Sequence, residues 1–218
     1  VVETLAAHAG VPVWNGLTDV DHPTQILADL LTIQEHIRKP LDEVKVVFCG
    51  DTRNNMAYAW MYGCAKMGMH FVGWGPKELS PAEDVIAYCN EVAKDTGAVL
   101  EFGEDLALLK GADVIYTDIW VSMGEEAKLA ERVKQLTPYK VTSKVMAATE
   151  NPKCLFMHCL PAYHDFETLT AQHCKEEGYD IREVDDNVFR SKNSVVFDEA
   201  ENRMHTIKAV MVATLGNQ

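Results

Sequence analysis

Apolar residues recur along this chain in two rhythms. Short apolar runs at 44–49, 69–73, 98–101, 114–117 and 155–157 are set off by Gly, Pro or charged residues, as buried strands are. Between them the apolar positions return every three or four residues, which predicts helices over 53–67, 81–96, 105–110, 125–136, 143–149 and 169–177. Strand and helix in alternation argue for an α/β fold, a doubly wound parallel sheet of Rossmann-like order. Ahead of the alternation, 1–9 reads as a short helix ended by Gly10, and 11–14 as a brief strand before the turn-forming Asn15-Gly16. Ile26, Leu30, Ile33 and Ile37 then mark an amphipathic helix, with Pro23 at its first position and His22 as its cap. Lys39-Pro40-Leu41-Asp42 is the expected hinge or boundary. A last helix over 198–215 carries Ile207, Val210, Met211 and Thr214 on one face.

Composition narrows the function classes. With 218 residues, 47% of them apolar and 24% charged, the chain has ample material for a core and reads as a soluble globular protein. A formal charge of −13 argues against a nucleic-acid or anionic membrane surface, because phosphate recognition needs clustered Lys and Arg. A small anionic ligand must then be held by a few local cations or helix ends. The six cysteines form no C-x-x-C pair and read as reduced thiols rather than metal ligands, and no apolar run reaches membrane-spanning length. The expectation is a cytoplasmic protein. The chain starts at Val1, directly in a helical pattern, so a beginning is expected to be missing.

The chemistry collects where strands end. Phe156-Met157-His158-Cys159-Leu160-Pro161 puts an imidazole and a thiol just before a proline that stops regular pairing. In parallel sheets the loops leaving the carboxyl ends of the strands form the ligand crevice. Alone, the pair reads as well as a buried Cys beside a solvated His. The first strand ends in Cys49-Gly50-Asp51-Thr52-Arg53-Asn54-Asn55, one glycine followed by bulky polar residues, which disfavours an NAD or FAD site. Asn54 and Asn55 offer amides to a carboxylate or amino group, or cap the next helix. Asp118 follows the strand 114–117 and suits an ammonium group or a proton acceptor, while Ser122-Met123-Gly124 reads as a closing loop or as a helix entry. His22 and Gln25 share a first helical turn that attracts anions or a polarised carbonyl, or else serve as cap and capping-box partner. Arg203, in the first turns of the last helix, needs a partner at that end of the dipole, either the acids at 198, 199 and 201 or a ligand.

Asn55, Asp118 and Cys159 should open onto one edge of the sheet, where hydrogen bonds, one negative charge and a thiol suit a zwitterionic, amine-bearing ligand better than a nucleotide. The order and spacing of His22-Pro23-Thr24-Gln25, 51–56, Ser122-Met123-Gly124, His158-Cys159-Leu160-Pro161 and the Arg203 helix resemble those of ornithine carbamoyltransferases along the whole chain. The resemblance implies carbamoyl phosphate and L-ornithine as partners, no cofactor, and a homotrimer or an assembly of trimers. It implies that His22, Gln25, Cys159, Leu160 and Arg203 hold carbamoyl phosphate, that Asn55, Asp118, Ser122 and Met123 hold ornithine, and that Cys159, Asp118 and Arg203 are catalytic. It also implies a division into 1–37, the tail end of a carbamoyl phosphate domain; 38–197, the ornithine domain; and 198–218, a helix crossing back. The family's Ser-Thr-Arg-Thr-Arg phosphate segment is absent from this sequence, so half a site, inactive alone, is expected.

Such a reaction needs a neutral δ-amine to attack the carbamoyl carbon. Cys159, oriented by Asp118, is expected to position the amine and receive or relay its proton, with phosphate as the alternative acceptor. His22, Gln25 and Arg203 would stabilise the developing oxyanion. Three rivals remain at this point: a cysteine hydrolase using Cys159 with His158 or His164 and Asp165, a non-catalytic ornithine-binding or assembly fragment, and a carbamoyltransferase for putrescine or another amine. The Asn55, Asp118 and Ser122 set opposes the last, since it fits an α-amino acid head group.

Overall fold

Val46, Val47, Phe48 and Cys49 present no polar face, so they need cover on both sides, and the fold supplies it. In the computed structural model, which describes residues 1–121 and 126–215, they form the central strand of a five-stranded sheet. In chain order the elements are α1 (Val2–Ala9), α2 (Pro23–His36), β1 (Lys45–Cys49), α3 (Asn55–Met67), β2 (His70–Trp74), α4 (Glu83–Thr96) and β3 (Val99–Gly103). There follow β4 (Val114–Thr117), α5 (Leu129–Leu136), α6 (Ser143–Ala148), β5 (Leu155–His158), α7 (Leu169–Glu176), α8 (Asp186–Phe189) and α9 (Val196–Leu215). Every pairing is parallel and the order is β3-β2-β1-β4-β5, the doubly wound arrangement expected from the alternating pattern. Alternate residues of β1 face different layers. Val46 and Phe48 pack with Trp60 and Met61 of α3, and Val47 and Cys49 with Tyr139, Val145 and Phe189. The winding reverses between β1 and β4, which opens a crevice at their carboxyl ends.

Several expected elements shift, each for a local reason. Residues 11–14 pair with no strand of the sheet, and Val11 and Trp14 stay largely exposed, so the short apolar run buries too little to hold it against an edge. Leu106–Leu109 and Glu126–Lys128 are 3-10 turns, so the helix expected over 105–110 is one short turn and that over 125–136 becomes regular only at Leu129. The last helix begins at Val196, two residues earlier than its polar stretch suggests. Its buried positions are Val196, Glu199 and Asn202, whereas Met211 of the expected apolar face is 53% exposed. Arg203 therefore sits two turns in, away from the helix's amino end.

A largely polar seam joins α9 to α2. Asn202 Nδ2 donates to Thr32 Oγ1 at 2.9 Å and to Glu35 Oε2 at 2.7 Å, and His36 Nε2 meets Asp198 Oδ2 at 2.9 Å. On the other side of α2, Gly63 of α3 lets Ile26 approach so closely that a Cβ there would lie 2.7 Å from Ile26 Cγ2.

At the mouth of the crevice the backbone after β2 grazes the backbone after β1. A Cβ on Gly75 would fall 2.0 Å from the Gly50 carbonyl oxygen, a contact that no rotamer change relieves. Gly75→Ala is expected to lower unfolding stability by about 3 kcal/mol, read as a lower urea midpoint at unchanged slope.

Candidate functional site

Sheet register sets the first half of the site. Cys49 pairs with Thr117 and Thr117 with His158, so the next residues, Gly50, Asp118 and Cys159, leave the sheet side by side. Asp118 collects donors: Cys159 Sγ at 3.3 Å and the Ile119 amide at 2.8 Å on Oδ1, and Asn54 Nδ2 at 3.1 Å on Oδ2. Asn54 is also the N-cap of α3, its Oδ1 accepting from the Ala57 amide at 2.7 Å. Asn55, the residue singled out from the sequence, turns instead to the Thr18 carbonyl at 2.8 Å and ties α3 to the loop before α2. Its neighbour Asn54 is the one that meets Asp118. Ser122 and Met123 lie outside the described residues.

Burial, with Asp118 and Glu199 nearby, raises the Cys159 thiol well above its ordinary range. Cys159 is therefore a neutral donor into Asp118, and this geometry does not fit the expectation that it accepts the amine's proton. Asp118, which accepts from three donors, is placed to orient an ammonium group. Leu160 turns the chain out of the strand with φ 53°, and its amide donates to His158 Nδ1 at 3.0 Å.

His158 is fully buried rather than solvated. Its Nε2 faces Glu183 Oε1 at 3.1 Å, and the same oxygen accepts from the Tyr163 amide at 2.6 Å. Burial works against the charged imidazole, but Glu183 outweighs it and draws the pKa up, while the Leu160 amide demands a lone pair at Nδ1. His164 pairs with Asp186 Oδ1 at 2.7 Å and stacks on Phe189. Both imidazoles are thus held by other partners while the Cys159 thiol donates to Asp118, which removes the support for a cysteine hydrolase.

The second half comes from α2 and α9. Arg203 Nη1 donates to Gln25 Oε1 and lies 3.3 Å from His22 Nε2, and Nη2 donates to Thr24 Oγ1 at 3.3 Å. These partners are neutral, and none is one of the acids at 198, 199 or 201 that the sequence offered. His22 caps α2 through its backbone, not its side chain, and burial together with Arg203 pushes its pKa down to about 4. Gln25 is no capping-box partner; its Nε2 donates to Asp29 Oδ1 at 2.8 Å and Glu199 Oε1 at 3.1 Å.

Glu199 joins the halves. Oε1 also accepts from the Tyr116 hydroxyl at 3.1 Å, and Oε2 accepts from the His158 amide, one residue before Cys159, at 2.9 Å. Sequence reasoning passed over Asp29 and Glu183 and offered Glu199 only as an ion-pair partner for Arg203. The usable signal was spacing: Gln25 and Asp29 on α2, and Glu199 and Arg203 on α9, are each four apart and so share a face.

Donor atoms of Asp118, His158 and Cys159 lie within 4.8 Å of one another, a spacing compatible with a metal ion, but each is engaged within the protein as described. An apolar cleft of about 540 Å³ between α2, α3 and α4, lined by Ile26, Leu30, Tyr62 and Tyr88, contains none of the site residues described above.

Residues 42–214 match the family model described as "Aspartate/ornithine carbamoyltransferase, Asp/Orn binding domain", and residues 1–35 match that of the carbamoyl-P binding domain. The chain belongs to the aspartate/ornithine carbamoyltransferase family. It is 67% identical over 218 residues to a catabolic ornithine carbamoyltransferase of Clostridium perfringens, covering 99% of this chain and 66% of that protein. It is 53% identical over 219 residues to catabolic ornithine carbamoyltransferase 1 of Staphylococcus epidermidis, again covering 99% and 66%. The solved ornithine carbamoyltransferase of Pyrococcus furiosus superposes with a TM-score of 0.84 at 40% identity, covering 100% of this chain and 64% of that one. Within this aspartate/ornithine carbamoyltransferase fold, the chain thus spans 66% of the length of these curated relatives.

Two measurements test the site's electrostatics. Cys159 should react slowly with iodoacetamide at pH 7, and Asp118→Asn, which removes the neighbouring negative charge, should speed it about tenfold, read by mass spectrometry of the labelled peptide. His22 is neutral in the folded chain down to about pH 4, but the unfolded chain takes up a proton near 6.5. Its contribution to stability is therefore full above pH 6.5 and lost as pH falls towards 4, at most about 3 kcal/mol. His22→Gln should flatten that part of the stability profile in urea melts.

Proposed function

We propose that the protein transfers the carbamoyl group of carbamoyl phosphate to the δ-amine of L-ornithine, giving L-citrulline and phosphate. The observation that carries this reading is a guanidinium whose hydrogen-bond partners among the described residues are all neutral, standing across Glu199 from a carboxylate that accepts on both its oxygens. One half suits an anionic, oxyanion-forming donor, and the other a cationic nucleophile that must lose a proton.

In the reaction the amine nitrogen bonds to the carbamoyl carbon, the carbon–oxygen bond to phosphate breaks, and the amine's proton leaves. An amine resembling that of Lys sits about three pKa units above pH 7, so its neutral form costs roughly 4 kcal/mol. Asp118 is the acceptor suited to orient the ammonium group and draw off its proton, with departing phosphate as the alternative. Cys159 enters as a neutral thiol that holds Asp118 and lines the amine's approach, with Leu160 beside it. His22, Gln25 and Arg203 face the carbamoyl oxygen, where charge develops. Asn55, Ser122 and Met123 complete the ornithine side through the family resemblance. The same reading includes a homotrimer in the cytoplasm; the unpaired thiols fit a reducing compartment, and among the described residues no helix is long and apolar enough to cross a membrane.

Citrulline formation is measured with this chain alone, where no turnover is expected because the family's phosphate segment is absent from the sequence, and with a relative's carbamoyl phosphate-binding domain joined to it, where turnover is expected. Ornithine binding without turnover in the joined protein would favour a non-catalytic ornithine-binding chain instead. Asp118→Asn should weaken ornithine binding at least tenfold in calorimetry. Undiminished ornithine binding in that variant would remove Asp118 from the amine's site.

A further inference from the structure

The side-chain amide of Gln25 has two ends of nearly equal shape, so its chemistry, not its outline, decides which way it points. Its NH₂ group faces Asp29 Oδ1 and Glu199 Oε1, and its oxygen faces Arg203. Turned over, the oxygen would meet two carboxyl oxygens and the NH₂ group would meet a guanidinium. We propose that Asp29 and Glu199 are positioning residues that lock the Gln25 amide in one orientation, and that Gln25 so locked stands between them and Arg203, leaving the guanidinium's charge for a ligand. What that charge is used for rests on the carbamoyl-transfer reading; the locking does not.

The arrangement answers a specific hazard. Asp29 and Glu199 are both fully buried, and a guanidinium nearby would ordinarily pair with such acids. Here its hydrogen-bond acceptors are the Gln25 oxygen, Thr24 Oγ1 and His22 Nε2. Glu199 is satisfied from other directions, whereas Asp29 is held through Oδ1 alone and its buried Oδ2 has no hydrogen-bond partner among the described residues. Glu199 takes the Tyr116 hydroxyl and the His158 amide, and both acids share the Gln25 NH₂ group. Burial raises both carboxyls, and Glu199 beside it helps raise Asp29 well above its ordinary range. The charged and titratable groups facing the pair are Tyr116 from β4, His158 and Cys159 from the β5 end, Asp118 beyond them, and Arg203 on α9.

The lock is read from side-chain ¹⁵N–¹H spectra of the chain and of Glu199→Gln and Asp29→Asn, each checked for native circular dichroism. In the unaltered chain the Gln25 NH₂ protons should exchange slowly with water. Either substitution should speed that exchange about tenfold, the effect of losing one hydrogen bond worth ~1.4 kcal/mol, and should shift the Arg203 guanidinium signals. Glu201→Gln, exposed on the same helix, should change neither. Native folding with unchanged Gln25 and Arg203 signals in both pair variants would overturn the proposal. Should a variant not fold, the unaltered chain decides: slow exchange of the Gln25 NH₂ protons with through-bond couplings to the Asp29 and Glu199 carboxyl carbons supports the lock, and exchange as fast as that of an exposed glutamine with no such coupling overturns it. A chain that shows the lock but yields no citrulline even with a relative's carbamoyl phosphate-binding domain joined to it would defeat the reading of function and leave this inference standing.

Discussion

A carboxyl group taken out of water must have its solvation replaced, at a cost of several kcal/mol if it is not, and Glu199 recruits three parts of the fold to that end. A side-chain amide from α2, a hydroxyl from β4 and a backbone amide at the end of β5 converge on its two oxygens. Those partners are 174, 83 and 41 residues away along the chain. Sheet, first long helix and last helix must all be in place before Glu199 is satisfied. The contact that holds the tertiary structure together at this point is also the one that spaces the two chemical halves of the site.

The sheet supplies what Glu199 does not. A parallel, doubly wound order forces the residues after β1, β4 and β5 onto one edge, and the register brings Asp118 and Cys159 into hydrogen-bond range. Proximity to an acid then fixes the character of the thiol. Beside a carboxylate and largely desolvated, sulfur keeps its proton, so a cysteine that resembles a nucleophile in sequence becomes a hydrogen-bond donor in structure. The same logic runs in reverse at His22, where a guanidinium and burial keep the imidazole neutral and able to accept.

Most of the framework was legible because it rests on local signals: apolar runs for the strands, three-to-four spacing for the helices, Pro23 and Gly10 at helix ends. The strand expected at 11–14 shows the limit, since a strand is a relation between two segments and one segment's composition cannot state whether an edge will hold it. The site was legible in its place and in part of its membership. Asp118 meets Cys159 and Arg203 meets His22 and Gln25, two groups joined through Glu199, and the helix phase decides that Asn54 rather than Asn55 touches Asp118. The burial of Glu199 and Asp29 was illegible for a different reason. A carboxylate in an amphipathic helix reads as solvated, and α9 buries a polar stripe where its sequence advertises an apolar one.

Asn54 carries a consequence beyond its own contacts. Its oxygen closes the first turn of α3 while its NH₂ group reaches Asp118, so one planar group answers two unrelated demands. Aspartate would keep the cap and set a second negative charge against Asp118; serine would keep the cap and lose the reach; glutamine has both ends at the wrong distance. Helix initiation and ligand chemistry are therefore inherited together at this position, and neither can drift over evolutionary time without the other.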